Sequence, residues 1–314
     1  MRRCLYCYEP VEDDQDFHEK CSIAFFGMPT PPTVAYSLDQ MDELAKKVVE
    51  QNIAVPGVQP KLSMSLVNKI RDNSGPRLTV VGALGGHYIL KPPSNRFPEM
   101  AENEHVTMRI AEAFGIRVVP SSLIRLLSGE LSYITKRVDR TEAGEKVHMI
   151  DMFQITEAFD KYKSSMEKIG KALGSYSSNT LLDQTFYFDR VLFTFLSGNS
   201  DMHLKNFSMI ESHSGWALSP AYDLLNVAIV LPEDTEELAL TLAGRKKKLK
   251  REHFERLGEG LGLTPKQIKR AFSRMAKSRP SATAWIERSF LSGDTKAAYN
   301  NVLKERFRKL GIEE

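Results

Sequence analysis

The stretch Ser197-Gly198-Asn199-Ser200-Asp201-Met202-His203-Leu204-Lys205-Asn206 decides how the rest of the chain is read. It is polar and irregular. It follows the most apolar helical run in the sequence, Asn179 to Leu196, with Leu181, Leu182, Phe186, Val191, Phe193 and Leu196. Phe207-Ser208-Met209-Ile210 then reads as a strand, and a second short strand is expected past the turn at His213-Ser214-Gly215. A polar loop between a buried helix and a strand is a place where a scaffold presents side chains for chemistry.

Working outward, the upstream part is strand-rich. Leu62 to Val67 alternates apolar and polar residues, and Arg77 to Val81 and His87 to Leu90 are further strands, with Gly82 to Gly86 expected as a hairpin connection. A helix is predicted from Pro98 to Phe114, started by Pro98 and stopped by Gly115. Strands follow around Arg117 to Leu126 and Leu131 to Arg137. Ser37 can cap an earlier helix from Leu38 to about Glu50. From Asp151 onward the pattern is helical, and the last 65 residues are amphipathic. Strands first and helices later predict an α+β chain with a small strand-rich lobe and a larger helical lobe. The expected division is a short Cys/His segment over 1–32, ending in Pro29-Thr30-Pro31-Pro32, then 33–140 and 141–314.

Within the opening stretch, Asp201 and Asn206 form D-x4-N, the spacing of a kinase catalytic loop. The carboxylate can accept or orient the proton of an attacking hydroxyl, and the amide oxygen is a hard, neutral ligand for Mg²⁺. Asp223, in Ser219-Pro220-Ala221-Tyr222-Asp223, lies past the second short strand, where a further metal-holding carboxylate is expected. Upstream, Tyr88-Ile89-Leu90-Lys91 resembles a strand-borne lysine that neutralises the α- and β-phosphates of ATP, with Glu102 or Glu104 as its partner. Taken singly, Lys91 reads equally as a solvated strand end and Asp223 as a helix cap. Val55-Pro56-Gly57-Val58-Gln59-Pro60-Lys61 is neither a Walker A loop nor G-x-G-x-x-G, but its backbone could lie against phosphate.

Cys4-x2-Cys7-x10-His18-x2-Cys21 offers two ligand pairs with the spacing that clasps a tetrahedral ion, and a segment this short has too little core to fold alone. Structural Zn²⁺ is the expected occupant; the bland reading is a chance cluster of buried thiols. All three cysteines of the chain lie here.

Composition bounds the alternatives. The chain has 314 residues, enough for about two domains at ~150 residues each. Hydrophobic residues at 42% and a net charge of +3 describe a folded protein and do not imply a nucleic-acid coat. No run approaches the ~20 apolar residues of a membrane span, and no apolar run follows Arg2 and Arg3 as in a leader. The odd cysteine count argues against a disulfide framework, so the expected setting is the cytoplasm. Arg245-Lys246-Lys247-Lys248-Leu249-Lys250-Arg251 reads as a solvated loop face ahead of a phosphate contact.

Val58-Gln59-Pro60-Lys61-Leu62-Ser63, Ile89-Leu90-Lys91-Pro92-Pro93, Ala101-Glu102-Asn103-Glu104, Tyr133 to Arg140, Gly198 to Phe207 and Ser219 to Asp223 together resemble the HipA family of bacterial serine/threonine kinases from toxin–antitoxin systems. The resemblance runs from about Asn52 to the C-terminus and is nearest to the short HipT form. It implies a two-lobed, protein-kinase-like fold and an ATP- and Mg²⁺-dependent enzyme. It implies Asp201 as catalytic base, Asn206 and Asp223 as Mg²⁺ ligands, and Lys91 with the Gly57, Val58 and Gln59 loop on the ATP phosphates. Lys136 and Val138 would receive adenine through their backbone. His203 either faces the γ-phosphate or is structural. The implied partners are a protein substrate such as an aminoacyl-tRNA synthetase, a helix-turn-helix antitoxin that alone contacts DNA, and a small HipS-like protein supplying the subdomain that the short form lacks. No membrane partner is implied. Ala54 stands where the family often has an autophosphorylated serine, so switching off by that serine is not expected. Two other classes compete: a catalytically silent kinase fold acting as a binding module or co-repressor, and a small-molecule kinase.

Overall fold

The computed structural model describes residues 2–41, 43–44, 61–67, 75–82, 85–94 and 96–313. The phosphate-loop candidates Gly57, Val58 and Gln59, together with Ala54, lie outside the described residues. So does most of the helix expected from Leu38, whose start is described: Ser37 Oγ accepts from the Gln40 amide at 3.4 Å, and Gln40 Oε1 accepts from the Ser37 amide at 2.9 Å. That reciprocal pair satisfies two donors that a helix start leaves unpaired.

The chain forms two compact units. The first comprises Met1–His105, Val119–Glu145 and Arg288–Phe290. Its frame is a six-stranded sheet of β1 (Thr33–Val34), β2 (Leu62–Val67), β3 (Arg77–Val81), β4 (Tyr88–Lys91), β5 (Ser121–Arg125) and β6 (Leu131–Lys136), in the order β1-β3-β2-β4-β6-β5. Only β1 on β3 is parallel. The alternation of β2 does what its period dictates: Leu62 and Met64 are buried, and Ser63 and Ser65 lie on the other face. Besides the helix start at Leu38, the described residues of this unit include α1 (Glu19–Phe26) and the first residues of α2 (Met100–Ala113). Neither α1 nor β1 is announced by the sequence pattern.

The hairpin expected at Gly82 to Gly86 is not one. β3 and β4 flank β2 on opposite edges and run in the same direction. They overlap on β2 only at Ser63 and Met64. The connection therefore steps across the β2 backbone, and His87 N donates to the Met64 carbonyl at 3.0 Å. Gly86 sits at φ +81, where a Cβ would come 2.5 Å from that carbonyl oxygen. Only glycine tolerates both the backbone angle and the approach.

The second unit comprises Val106–Val118, Lys146–Glu287 and Leu291–Glu314. Helix α5 (Thr180–Leu196) is its axis, buried at every residue from Tyr187 to Leu196. A three-stranded antiparallel sheet, β7 (Met149–Asp151), β8 (Ser208–Ser212) and β9 (Gly215–Leu218), holds the chain on both sides of the polar loop. α3 (Met152–Ile155) and α4 (Met166–Tyr176) precede α5. α6 (Arg251–Gly260), α7 (Pro265–Arg288) and α8 (Gly293–Leu310) make up the helical C-terminal part. Asp183 on α5 fixes β9 by accepting from the Leu218 amide at 2.7 Å and from Ser177 Oγ at 2.6 Å. The α+β class and the order of small strand-rich and large helical parts are as the sequence reading expected. Among the described residues no helix is long and apolar enough to cross a membrane.

Replacing Gly86 by alanine should destabilise the protein by about 2–3 kcal/mol, since strain at a left-handed position adds to the backbone contact. Urea unfolding of wild type and Gly86→Ala measures it. Equal midpoints would show that the crossing over β2 relaxes freely.

Candidate active site

In the first unit, β4 ends on Lys91, which is buried with its Nζ 2.6 Å from Glu104 Oε1. Their side chains are 6% and 2% exposed, so this ion pair is almost fully withdrawn from water. Pairing in such a place demands close geometry, because desolvation of each charge has to be offset by the other. The Tyr133 ring adds a face 5.3 Å from Nζ. Of the two candidate partners, the structure selects Glu104. Glu102, two residues away on α2, is only half-buried, and desolvation raises its carboxyl above the usual range.

At the end of β6 the backbone is largely committed. Lys136 N donates to the Pro120 carbonyl at 2.9 Å, and Arg137 N donates to the His87 carbonyl at 2.8 Å. Arg137 then reaches back to Ser63 Oγ at 3.2 Å and the Gly85 carbonyl at 3.1 Å, and pairs with Asp139 at 2.8 Å. These bonds tie the segment Lys136 to Asp139 to β2 and to the crossing loop.

In the second unit, α5 ends at Ser197, and Gly198 at φ +70 turns the chain out of the helix. A Cβ there would lie 2.8 Å from Asn226 Oδ1 and Val302 Cγ1. Asn199, to which the sequence pattern assigns no role, ties the two candidate segments together. Its Oδ1 accepts from the Asp201 amide at 3.1 Å, and its Nδ2 donates to the Asp223 carbonyl at 3.4 Å. Asn206 Nδ2 donates to the Asp201 carbonyl at 3.1 Å. With its NH₂ end fixed there, the Asn206 amide oxygen is aimed the other way, as an oxygen donor to a cation requires. Asp223 sits at φ +54, a left-handed conformation rare outside glycine but tolerated best by Asp and Asn. Such strain is characteristic of functional positions. Arg190, fully buried on α5, donates to the Ser219 carbonyl and so anchors the approach to Asp223.

Tyr162 was not anticipated, and no spacing or motif around it gives a signal. Its hydroxyl donates to Asp201 Oδ1 at 2.7 Å. Burial and the adjoining Asp201 carboxylate push the phenol well above its usual range, so it stays protonated and donates. Its ring stands edge-on to His203 with centroids 5.1 Å apart. His203 is buried, and its Nδ1 has no hydrogen-bond partner. Burial lowers its pKa, opposed by the Asp201 and Asp223 carboxylates and reinforced by Lys161. The imidazole is therefore neutral at pH 7, with Nδ1 unshared.

At the N-terminus, one ligand atom from each of Cys4, Cys7, His18 and Cys21 lies within 4.8 Å of the others. His18 Nδ1 is 3.4 Å from Cys7 Sγ and 3.7 Å from Cys21 Sγ. An ion bound at ~2.3 Å from sulfur and ~2.0 Å from nitrogen places tetrahedral donors about 3.5 Å apart. His18 Nε2 donates to the Pro10 carbonyl at 2.9 Å, which leaves Nδ1 unprotonated and turned to the thiols. None of the three cysteines is in a disulfide. Half of the six cations of the basic run have side-chain partners: Lys246 pairs with Glu236 at 3.2 Å, Arg251 with Glu255 at 2.7 Å, and Lys247 donates to Thr235.

Residues 53–283 match the model of the HipA-like C-terminal domain. The chain belongs to the HipA-like family. It is 31% identical over 212 residues to a Haemophilus influenzae protein provisionally named a kinase, covering 62% of this chain and 59% of that one. It is 24% identical over 257 residues to the serine/threonine-protein kinase toxin HipA of Shewanella oneidensis, covering 74% and 57%. The solved structure of Shewanella oneidensis HipA with HipB and operator DNA shares the fold, at TM-score 0.68 and 20% identity, over 90% of this chain and 73% of that one. The chain spans a little more than half the length of these two sequence relatives.

The neutral, buried His203 has a consequence for stability. Its folded pKa lies below its unfolded value of ~6.5, so the unfolded chain binds more protons as the pH drops. Stability is full above about pH 6.5 and falls as the pH drops below it toward the folded value. Unfolding free energies at pH 7.5 and 5.5 should differ less in His203→Gln than in wild type. An unchanged difference would show that His203 charges as readily folded as unfolded.

Proposed function

We propose that this chain is an ATP-dependent protein kinase that transfers the γ-phosphoryl group to a serine or threonine hydroxyl. One observation carries the reading: the Asp201 carboxylate already accepts an O–H at 2.7 Å while Asn206 is bonded to the Asp201 backbone. That is the hydrogen bond an attacking hydroxyl must make to its base, at the distance proton transfer requires. Mg²⁺ and ATP would supply the transferable phosphoryl group and the charge neutralisation. The Asn206 amide oxygen and the Asp223 carboxylate are the residues that would hold the metal. Lys91 would neutralise the nucleotide phosphates, held in place by Glu104. Asp201 orients the acceptor hydroxyl and takes its proton. His203, neutral and with Nδ1 unshared, is suited to accept a hydrogen bond from the acceptor side. Of the two backbone positions expected to read adenine, Val138 is favoured, since the Lys136 N–H already serves Pro120. Gly57, Val58 and Gln59 remain the phosphate-loop candidates.

The cellular role we propose is that of a bacterial toxin paired with a helix-turn-helix antitoxin, contacting DNA only through it, acting in the cytoplasm. The named relative HipA supports that role. A translation component such as an aminoacyl-tRNA synthetase is the proposed substrate, and a small HipS-like protein the proposed second partner. The Cys4, Cys7, His18 and Cys21 donor set supports structural Zn²⁺, since an imidazole nitrogen facing two thiols at 3.4 and 3.7 Å matches the edges of a zinc tetrahedron.

Asp201→Ala should lower phosphoryl transfer by about 10²–10⁴-fold, the range expected for loss of a positioned base, and leave ATP affinity within a few-fold. Transfer from radiolabelled ATP to protein in a bacterial lysate, read beside calorimetric ATP binding, checks both. Near wild-type transfer would remove Asp201 from the mechanism. Transfer only to small hydroxyl compounds would favour a small-molecule kinase. Wild type that binds ATP but transfers nothing, even with its partner proteins added, would favour a silent binding module.

A further inference from the structure

The N-terminal Cys/His knuckle contacts the residue that follows Glu104 and the strand that ends at Lys91. Residue 105, directly after Glu104, is a histidine with no exposed surface. Its Nε2 lies 3.3 Å from the Ser121 carbonyl, which can only accept, so Nε2 carries the proton. Nδ1 is then an acceptor, and Tyr8 donates its hydroxyl to it at 2.7 Å. Tyr8 directly follows the ligand candidate Cys7. It is 1% exposed and held at φ +66, a strained angle for a bulky residue. The Tyr8 ring stands edge-on to His105 and to Phe290, with centroids 5.2 Å away in each case.

The other member is approached through α1, which begins at Glu19 and carries the ligand candidate Cys21. Phe25 and Phe26 on this helix pack against Tyr88 of β4, at 5.9 and 6.0 Å between centroids, on the strand that ends at Lys91. The knuckle is itself seated on β5: Leu123 N donates to the Leu5 carbonyl at 3.2 Å, and Arg125 forks onto Asp16 with contacts of 2.9 to 3.2 Å. The four metal-ligand candidates thus sit at the junction of two arms. The arm through Tyr8 ends beside Glu104, and the arm through α1 ends on the lysine strand.

We propose that the zinc-held knuckle is a latch that sets the position of α2, so that Glu104 meets Lys91 only when the metal is bound. Tyr8 is the positioning residue that connects metal to helix. The inference rests on the zinc reading for the metal and on the kinase reading for the purpose of the ion pair. It makes the pair, and with it nucleotide binding, dependent on metal supply and on the reduced state of three thiols. Removing the metal releases the Cys7 thiolate, and the strained Tyr8 angle beside it is then no longer held by a metal bond.

The test uses full-length wild type, Tyr8→Phe and Cys7→Ser. Each is measured for zinc content, for hydrogen exchange of the amides of residues 100–113, and for ATP affinity. Wild type should carry one equivalent of zinc. Tyr8→Phe keeps the ring and loses only the hydroxyl. It should retain the zinc, yet show faster exchange over 100–113 and ATP binding weakened roughly tenfold, as expected for a lost buried hydrogen bond. Cys7→Ser should lose zinc and show the same two changes. Wild type without zinc would overturn the metal, whatever the variants do. Zinc-loaded Tyr8→Phe with wild-type exchange would overturn the latch and leave the zinc reading standing. The exchange readout holds even if wild type transfers no phosphate, so failure of the kinase reading is told apart from failure of the latch.

Discussion

A buried lysine can stay charged only if a carboxylate is delivered to it, and in this fold the Lys91–Glu104 pair imposes that demand on everything around it. The strand end, the helix start and the ring of Tyr133 all have to arrive within a few ångströms of one ammonium group. Removing one partner of such a pair typically costs about 3–5 kcal/mol, far more than a surface pair contributes. Evolution of a purely structural core would more simply place apolar residues there. Keeping two charges in a dry site makes sense when a third charge, such as a phosphate, is to share them. The six-stranded sheet, with its awkward step across β2 at Gly86, is the frame that carries β4 to this point.

The second unit solves a different problem, which is to hold a polar loop rigid without regular secondary structure. It does so with side-chain-to-backbone bonds. Asn199 binds the backbone at both Asp201 and Asp223, and Asn206 binds the backbone of Asp201. The main chain that carries Asp201 and Asp223 is thereby fixed. Positioned groups of this kind make up most of what an enzyme contributes to phosphoryl transfer, where the protein does little covalent chemistry of its own.

Much of this was legible in the sequence because the signals were periodic or local. The alternation of Leu62 to Val67 and the length and apolarity of Asn179 to Leu196 place β2 and α5 within a residue of where they are. The D-x4-N spacing brought Asp201 and Asn206 into one loop as expected. The cysteine and histidine pairs converge because two residues between ligands suffice to bring donors to one side of an ion. What escaped was non-local. The crossing of Gly82 to Gly86 looked like a hairpin because glycine marks a turn without saying which strands it joins. Glu102 and Glu104 could not be told apart, since two positions on a helix differ by a rotation that only packing fixes. Tyr162 and Tyr8 act through hydrogen bonds to residues 39 and 97 positions away, and nothing beside them in the sequence announces this.

We propose that the buried Lys91–Glu104 pair serves as a clamp for nucleotide phosphates and not merely as a core contact. ATP binding by calorimetry to the double variant Lys91→Met/Glu104→Gln tests it most directly, because removing both charges at near-constant shape spares the fold the penalty of one orphaned ion. The expected result is a protein that unfolds at close to the wild-type temperature but no longer binds Mg-ATP measurably. A folded double variant that binds Mg-ATP as wild type does would contradict it.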